Sequence, residues 1–374
     1  MLKYILLFIR KGKLMKNNHN LLMKMKNLEK FSGAIKRCVA IAMASMLFAT
    51  TGFSLDTHPV KAQEVSSSAD KIEIPEISKD AFKKYKKISG IGANTILGAD
   101  FTYYQQCLEW GKSYKNYMSQ SVDNIFDYVK SQGINTISLK VAVNPTGENA
   151  YLSLENAIKT LKAVKASNTN LKTNLVLLYS DEITYAGTQN LPADWEKAEK
   201  EEQSVTRVES AKTYTRETIA KLKQANVLPD IVTIGNEVNW NFLGITDGEG
   251  WEGWKAMGDI SALLKKEGVK NAVSIAAQPD AASVKYIVQK LGYASVDYDY
   301  IGVNVYPDNN TNSYIKSLKN EVESCAPDKQ LIVSNVEYER VNEANTANVY
   351  TQADSIYNLL EATIDEKNGM LPFR

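Results

Sequence analysis

Three observations predict a (β/α)8 TIM barrel. Short apolar runs rich in β-branched residues recur along the chain, nearly continuous rather than alternating, as parallel strands covered on both faces are. Longer amphipathic stretches of helical period separate them. No Gly-x-Gly-x-x-Gly follows the first run, which weakens the runner-up, an open doubly wound sheet. The runs are TILGADF (95–101), NTISLKVAV (135–143), TNLVLLYS (173–180), DIVTIGNE (230–237), AVSIAA (272–277), DYIGVNVYP (299–307) and QLIVSNVEY (330–338).

Between the strands, 121–133 reads as a helix with Val122, Ile125, Phe126 and Val129 on one face and Gly133 as its stop. The stretches 153–167 and 210–227 behave the same way, and a last helix is expected over about 351–365. Only EKNGMLPFR follows, so the barrel is expected to lack a complete eighth strand: either GMLPFR is its stub or Arg374 is not the natural C-terminus. A truncated barrel domain over 88–374 is the expectation, preceded by a polar linker at 63–87.

Residues 1–62 read as an export leader. Basic residues run through Lys36 and Arg37, then CVAIAMASMLFATTGF, then VKA before Gln63, which predicts a signal peptide cleaved near Ala62 and a secreted product. The apolar run falls short of the roughly 20 residues that a membrane span needs. Cys38 is badly placed for a lipid anchor, and Met15, Met23 and Met25 are alternative starts.

The 374 residues carry 44 Lys and Arg against 43 Asp and Glu, so no global field draws the chain to nucleic acid or an anionic membrane. Both histidines, His19 and His58, lie in the leader. A mature chain without histidine excludes Ser-His-Asp and Cys-His nucleophiles and His-ligated metals, leaving carboxylates, Lys or Tyr to move protons. Cys107 and Cys325 permit one disulfide at most. No cofactor or metal is expected, and the expected state is a monomer.

Barrel enzymes carry their reactive groups where strands give way to βα loops. That rule selects Asp100 after the first strand, Lys140 on the second, Ser180 and Asp181 on the third, Asn236 and Glu237 on the fourth, Asn304 and Tyr306 on the sixth, and Glu337 on the seventh. Two glutamates facing each other across a barrel mouth suit glycoside hydrolysis, which needs an acid for the leaving oxygen and a carboxylate to attack or to activate water. Asn236 beside Glu237 suits a sugar hydroxyl next to the reacting carbon. Tyr103, Tyr104, Trp110, Tyr185, Trp195, Trp240, Trp251, Trp254 and Tyr306 are available as sugar platforms, with Trp240, three residues past Glu237, the first choice for a subsite wall.

The stretch 98–337 resembles glycoside hydrolase family 53, the arabinogalactan endo-β-1,4-galactanases. GADFTYYQQ (98–106), YSDEITYAGTQNLPADW (179–195), PDIVTIGNEVN (229–239), DYIGVNVYP (299–307) and LIVSNVEY (331–338) carry the resemblance. It implies a retaining endo-galactanase with Glu237 as acid/base and Glu337 as nucleophile, Tyr306 hydrogen-bonded to that nucleophile and Glu339 a bystander. Its implied partner is a β-1,4-galactan-type polysaccharide. The chain departs from the family at Lys140, usually Arg, at Leu178, usually His, and at Ile183 to Ala186, usually Trp-Ala-Asp-Pro. It departs also at Val305, usually Tyr, and Ala142, usually Trp. A non-catalytic or altered-specificity carbohydrate-binding relative of the same barrel family is the alternative, and a sugar-binding adhesion protein a further one.

Overall fold

The computed structural model describes residues 84–86, 88, 95–116, 120–201, 206–248, 250–276, 281–305, 311–336 and 347–364. The leader, most of the linker, Tyr306, Glu337, Glu339 and the C-terminal stretch proposed as an eighth strand lie outside them.

Seven parallel strands form one sheet in sequence order: β1 (Gly98–Asp100), β2 (Thr136–Val141), β3 (Lys172–Leu177), β4 (Ile231–Ile234), β5 (Lys270–Ile275), β6 (Tyr300–Val305) and β7 (Gln330–Val336). The seven runs of the sequence are these seven strands. Register is continuous, with Ile137 opposite Thr173, Leu175 opposite Val232 and Thr233 opposite Ala272. Between β6 and β7 it shifts at Val303/Asn304.

Helices α1 (Tyr104–Glu109) and α2 (Ile125–Ser131) follow β1, α3 (Leu154–Ala166) follows β2, and α4 (Ala193–Glu201) and α5 (Arg207–Gln224) follow β3. Then come α6 (Glu252–Lys266), α7 (Ala281–Tyr293), α8 (Thr311–Cys325) and α9 (Ala347–Thr363), each after the next strand. Side-chain oxygens start several of them: Asn124 accepts from Phe126 N at 3.0 Å, Ser153 from Asn156 N at 3.3 Å and Thr206 from Glu209 N at 3.2 Å. Gly133, at φ 98°, ends α2 by donating to the Lys130 carbonyl at 3.0 Å, while Ile134 N reaches Val129 O at 3.1 Å.

One helical expectation is corrected. Val122 lies outside α2, in a two-residue strand, Ser121–Val122, paired antiparallel with Tyr114–Lys115. The helix cannot begin before its cap at Asn124, and Val122 packs on the core from the hairpin instead. Ahead of the expected domain start, Lys84 pairs with Asp354 on α9, and the Tyr85 hydroxyl donates to Asp354 at 2.7 Å. Cys107 and Cys325 are both free thiols.

The barrel interior changes character from floor to mouth. Ile96, just ahead of β1, packs with Ile231, Ala272, Tyr300 and Ile332 of β4 to β7 and closes the floor. Above them Asn174 donates to Ser138 Oγ at 2.9 Å and accepts from Thr233 Oγ1 at 2.9 Å. Higher still the polar layer is buried and leads to the ends of β4 and β6. Among the described residues no helix is long and apolar enough to cross a membrane.

Candidate active site

The end of β4 is strained in a way that presents Glu237. Gly235 N still pairs with Leu177 O of β3 at 2.9 Å, and Val238 N pairs with Ser274 O of β5 at 2.9 Å. Between these anchors the backbone turns left-handed at Gly235, φ 71°, and at Glu237, φ 57°. A glutamate in that conformation costs on the order of 1 kcal/mol, and such cost persists only where neighbours over-determine it. Gly235 is obligatory here, since a Cβ would stand 2.3 Å from Val238 Cγ1.

The over-determination comes from the loop after β3. Thr184 Oγ1 donates to the Asn236 carbonyl at 3.0 Å, and the Asn236 amide donates back to Thr184 O at 2.7 Å. Gln189, buried, spreads its amide over the carbonyls of Tyr185 at 3.0 Å, Asn236 at 2.8 Å and Glu237 at 3.1 Å. Thr184 and Gln189 do not stand out in the sequence because they act on a strand end some fifty residues away.

Glu237 is 4% exposed, and each carboxylate oxygen accepts an N–H. Asn304 Nδ2 donates to Oε1 at 2.7 Å and Ala186 N to Oε2 at 2.9 Å. Asn304 Oδ1 in turn accepts from Ser334 Oγ at 2.7 Å and Ser274 Oγ at 3.3 Å, which fixes its amide with the nitrogen toward Glu237. Asn236 joins the same network, its Oδ1 accepting from Asn304 at 3.3 Å. Asn236 and Glu237 from one strand end and Asn304 from another thus form one hydrogen-bonded unit. Ser274 and Ser334 support it from β5 and β7; their place above the floor layer follows from strand alternation.

The other sequence-selected residues divide. Asp100 and Lys140 form an ion pair, each side chain 13% exposed, and Asp100 Oδ1 also accepts from Thr102 N at 2.8 Å. Beside them burial, aided by Asp100 and Tyr185, holds the Tyr103 phenol well above its ordinary pKa, so it remains a donor. Asp181 spends its oxygens on backbone, Asn144 N at 2.9 Å and Ala193 N at 3.0 Å, and so pins the start of α4. Ser180 is 1% exposed, and its hydroxyl has no hydrogen-bond partner among the described residues.

Trp240 is 41% exposed and Trp251 42%, both on the loop between β4 and α6. Trp240 leans on Tyr286, ring centroids 5.9 Å apart, and the Tyr286 hydroxyl donates to Asp247 at 2.7 Å. Burial works to raise the Asp247 carboxyl, but hydrogen bonds from Tyr286 and Trp254 and the nearby Lys290 outweigh it and hold it below its ordinary range. Trp254, one of the candidate sugar platforms, is instead buried with its indole N–H on Asp247 at 2.8 Å. Tyr104 likewise packs among Phe101, Tyr114 and Phe126. Among the described residues no cluster of His, Cys, Asp or Glu could hold a metal ion.

Fold and site together define a class: a (β/α)-barrel protein whose fourth strand delivers a buried, doubly hydrogen-bonded glutamate to the barrel mouth. The comparisons agree. The family described as Glycosyl hydrolase family 53 matches residues 96–371, and the chain belongs to it. It is 29% identical over 232 residues to the arabinogalactan endo-beta-1,4-galactanase of Cellvibrio japonicus, covering 59% of each chain. It is 28% identical over 253 residues to that of Thermothelomyces thermophilus, covering 63% of this chain and 70% of that one. The chain thus spans about three-fifths of the length of the Cellvibrio relative. Among solved structures, the family 53 catalytic domain of Ignisphaera aggregans superimposes with a TM-score of 0.65 at 20% identity, over 77% of this chain and 87% of that one. A structure from a study of two fungal beta-1,4-galactanases gives 0.60 at 20%, over 75% and 89%. These two likenesses show the fold.

Proposed function

We propose that the protein is a secreted, retaining endo-β-1,4-galactanase acting on the galactan side chains of pectin, with Glu237 as acid/base and Glu337 as nucleophile. The observation that carries this reading is the strained, over-determined turn that delivers Glu237 beside Asn236 and Asn304, in a family 53 chain similar to the Cellvibrio and Thermothelomyces galactanases. Export rests on the leader pattern in residues 1–62.

In the first step the Glu337 carboxylate attacks the anomeric carbon as the glycosidic C–O bond breaks, and Glu237 gives its proton to the departing oxygen. In the second, Glu237 takes a proton from water, which displaces the glycosyl ester and returns Glu337 as carboxylate. Asn236 and Asn304 orient the donor, and Asn236 has a second N–H for the hydroxyl beside the reacting carbon. Asp100 with Lys140, Ser180 and Asp181 are the proposed polar subsite residues, Trp240 the proposed sugar platform, and Tyr306 the proposed partner of the nucleophile.

The test is reducing-sugar release by the mature protein across β-1,4-galactan, β-1,4-xylan, β-1,4-mannan and β-1,3-glucan, alongside Glu237→Gln and Glu337→Gln. Galactan hydrolysis lost in both variants is expected. A folded parent inactive on galactan sinks the assignment, and galactan binding without hydrolysis would favour the binding-protein alternative.

A further inference from the structure

The loop after β3 reaches the Glu237 side chain through the backbone N–H of Ala186, 2.9 Å from Oε2. Tyr185 and Thr188 hold that point in shape by exchanging backbone hydrogen bonds, Tyr185 N to Thr188 O at 3.2 Å and Thr188 N to Tyr185 O at 2.8 Å. Gln189 ties the same small loop to the Glu237 backbone. On the opposite oxygen stands Asn304, itself fixed by two serines. A donor on each oxygen restrains the carboxyl group from turning about its last torsion, a torsion that is otherwise soft. The two donors differ in surroundings: Asn304 is sealed in the barrel at 1% exposure, whereas Ala186 is half-buried and is followed by exposed Gly187 and Thr188. A proline at position 186 would have no N–H to give.

We propose that the Ala186 backbone amide is a positioning group for the proton donor: with Asn304 it fixes the plane of the Glu237 carboxyl group, so that the proton is delivered in one direction. The proposal rests on Glu237 being the acid/base. Ala186 acts through Glu237 rather than on the sugar, so its effect scales with how much the leaving group needs a proton. A sugar alkoxide needs one. A dinitrophenolate does not.

The experiment compares kcat/KM, which reports the first bond cleavage, on β-1,4-galactan and on a 2,4-dinitrophenyl β-galactobioside. It uses the parent, Ala186→Pro and Glu237→Gln. Ala186→Pro is expected to lose about tenfold or more on galactan, the weight of one hydrogen bond to a charged group, and to stay within about twofold on the aryl glycoside. Equal loss on both substrates, which general structural damage would give, overturns the proposal, and so does no loss on either. Glu237→Gln separates the two claims. If it shows the leaving-group split and Ala186→Pro does not, the positioning role fails alone; if Glu237→Gln shows no split, the acid/base reading fails with it. Lactic acid placed at position 186 deletes the same N–H as an ester without a ring, so poor folding of the proline variant leaves the comparison intact.

Discussion

Replacing Gln189 by Leu keeps most of the side-chain shape and removes the amide that spans three carbonyls, at 2.8, 3.0 and 3.1 Å. Two of these keep another donor, since Asn236 O still accepts from Thr184 Oγ1 at 3.0 Å and Tyr185 O from Thr188 N at 2.8 Å. The change also takes a donor from the Glu237 carbonyl, in a residue held left-handed at φ 57°. One lost bond of about 1 kcal/mol, plus about 1–2 kcal/mol for desolvated carbonyl groups left poorly paired, gives roughly 2–3 kcal/mol. In a barrel of this size that lowers Tm by about 3–5 °C. Because the freed turn carries the proposed acid, kcat/KM on galactan is expected to fall about tenfold or more at a temperature where the variant is still folded. Thermal unfolding by circular dichroism and galactan hydrolysis at 20 °C check the two parts. A Tm within about 2 °C of the parent together with unchanged kcat/KM would refute the claim that Gln189 holds the turn.

Three further outcomes follow from local geometry. Gly235→Ala forces a Cβ to within 2.3 Å of Val238 Cγ1 at φ 71°; it is expected to cost about 2–4 kcal/mol, read as a lower urea midpoint at unchanged slope. Arg207 reaches Glu199 through Nε at 2.8 and 3.0 Å and the Leu243 carbonyl through Nη1 at 3.2 Å. Its hydrogen bonds hold the Glu199 carboxyl below its ordinary range despite burial, so the pair's contribution is present above the unfolded pKa of about 4.3 and is lost as pH falls through the folded value. Arg207→Lys, which cannot form the fork, is expected to lower stability by about 1 kcal/mol at pH 7, with the difference shrinking as pH falls below the unfolded value in urea titrations. Burial pushes the Cys107 thiol up to about 11; iodoacetamide at pH 8 is expected to label half-buried Cys325 in the folded protein and Cys107 only after unfolding, as mass spectrometry would show.

The strands were legible because their covered faces leave nearly continuous apolar runs, and their order because parallel βα units repeat in sequence. The polar end points Asn236, Glu237 and Asn304 were legible by the strand-end rule alone. What escaped is what depends on distant partners. Val122 looked helical because Ile125, Phe126 and Val129 continue its spacing, yet the cap at Asn124 decides where that helix begins. Asp181 was selected by the strand-end rule, but the hold of its oxygens on the backbone at Asn144 and Ala193 is a further use that nothing in its own neighbourhood signals. The grip of Thr184, Ala186 and Gln189 on the Glu237 turn could be anticipated only from the strain of that turn, which sequence does not display. Trp254 and Tyr104 show the ordinary ambiguity of aromatics, which pack as readily as they bind.

The central claim is that two glutamates act by double displacement, and the configuration of the first-formed product tests it most directly. Proton NMR of galactan hydrolysis, recorded before mutarotation, is predicted to show the β-anomer of the new reducing end appearing first, with the α-anomer growing only later. An α-anomer formed first would mean inversion at the anomeric carbon and would contradict a covalent intermediate on Glu337.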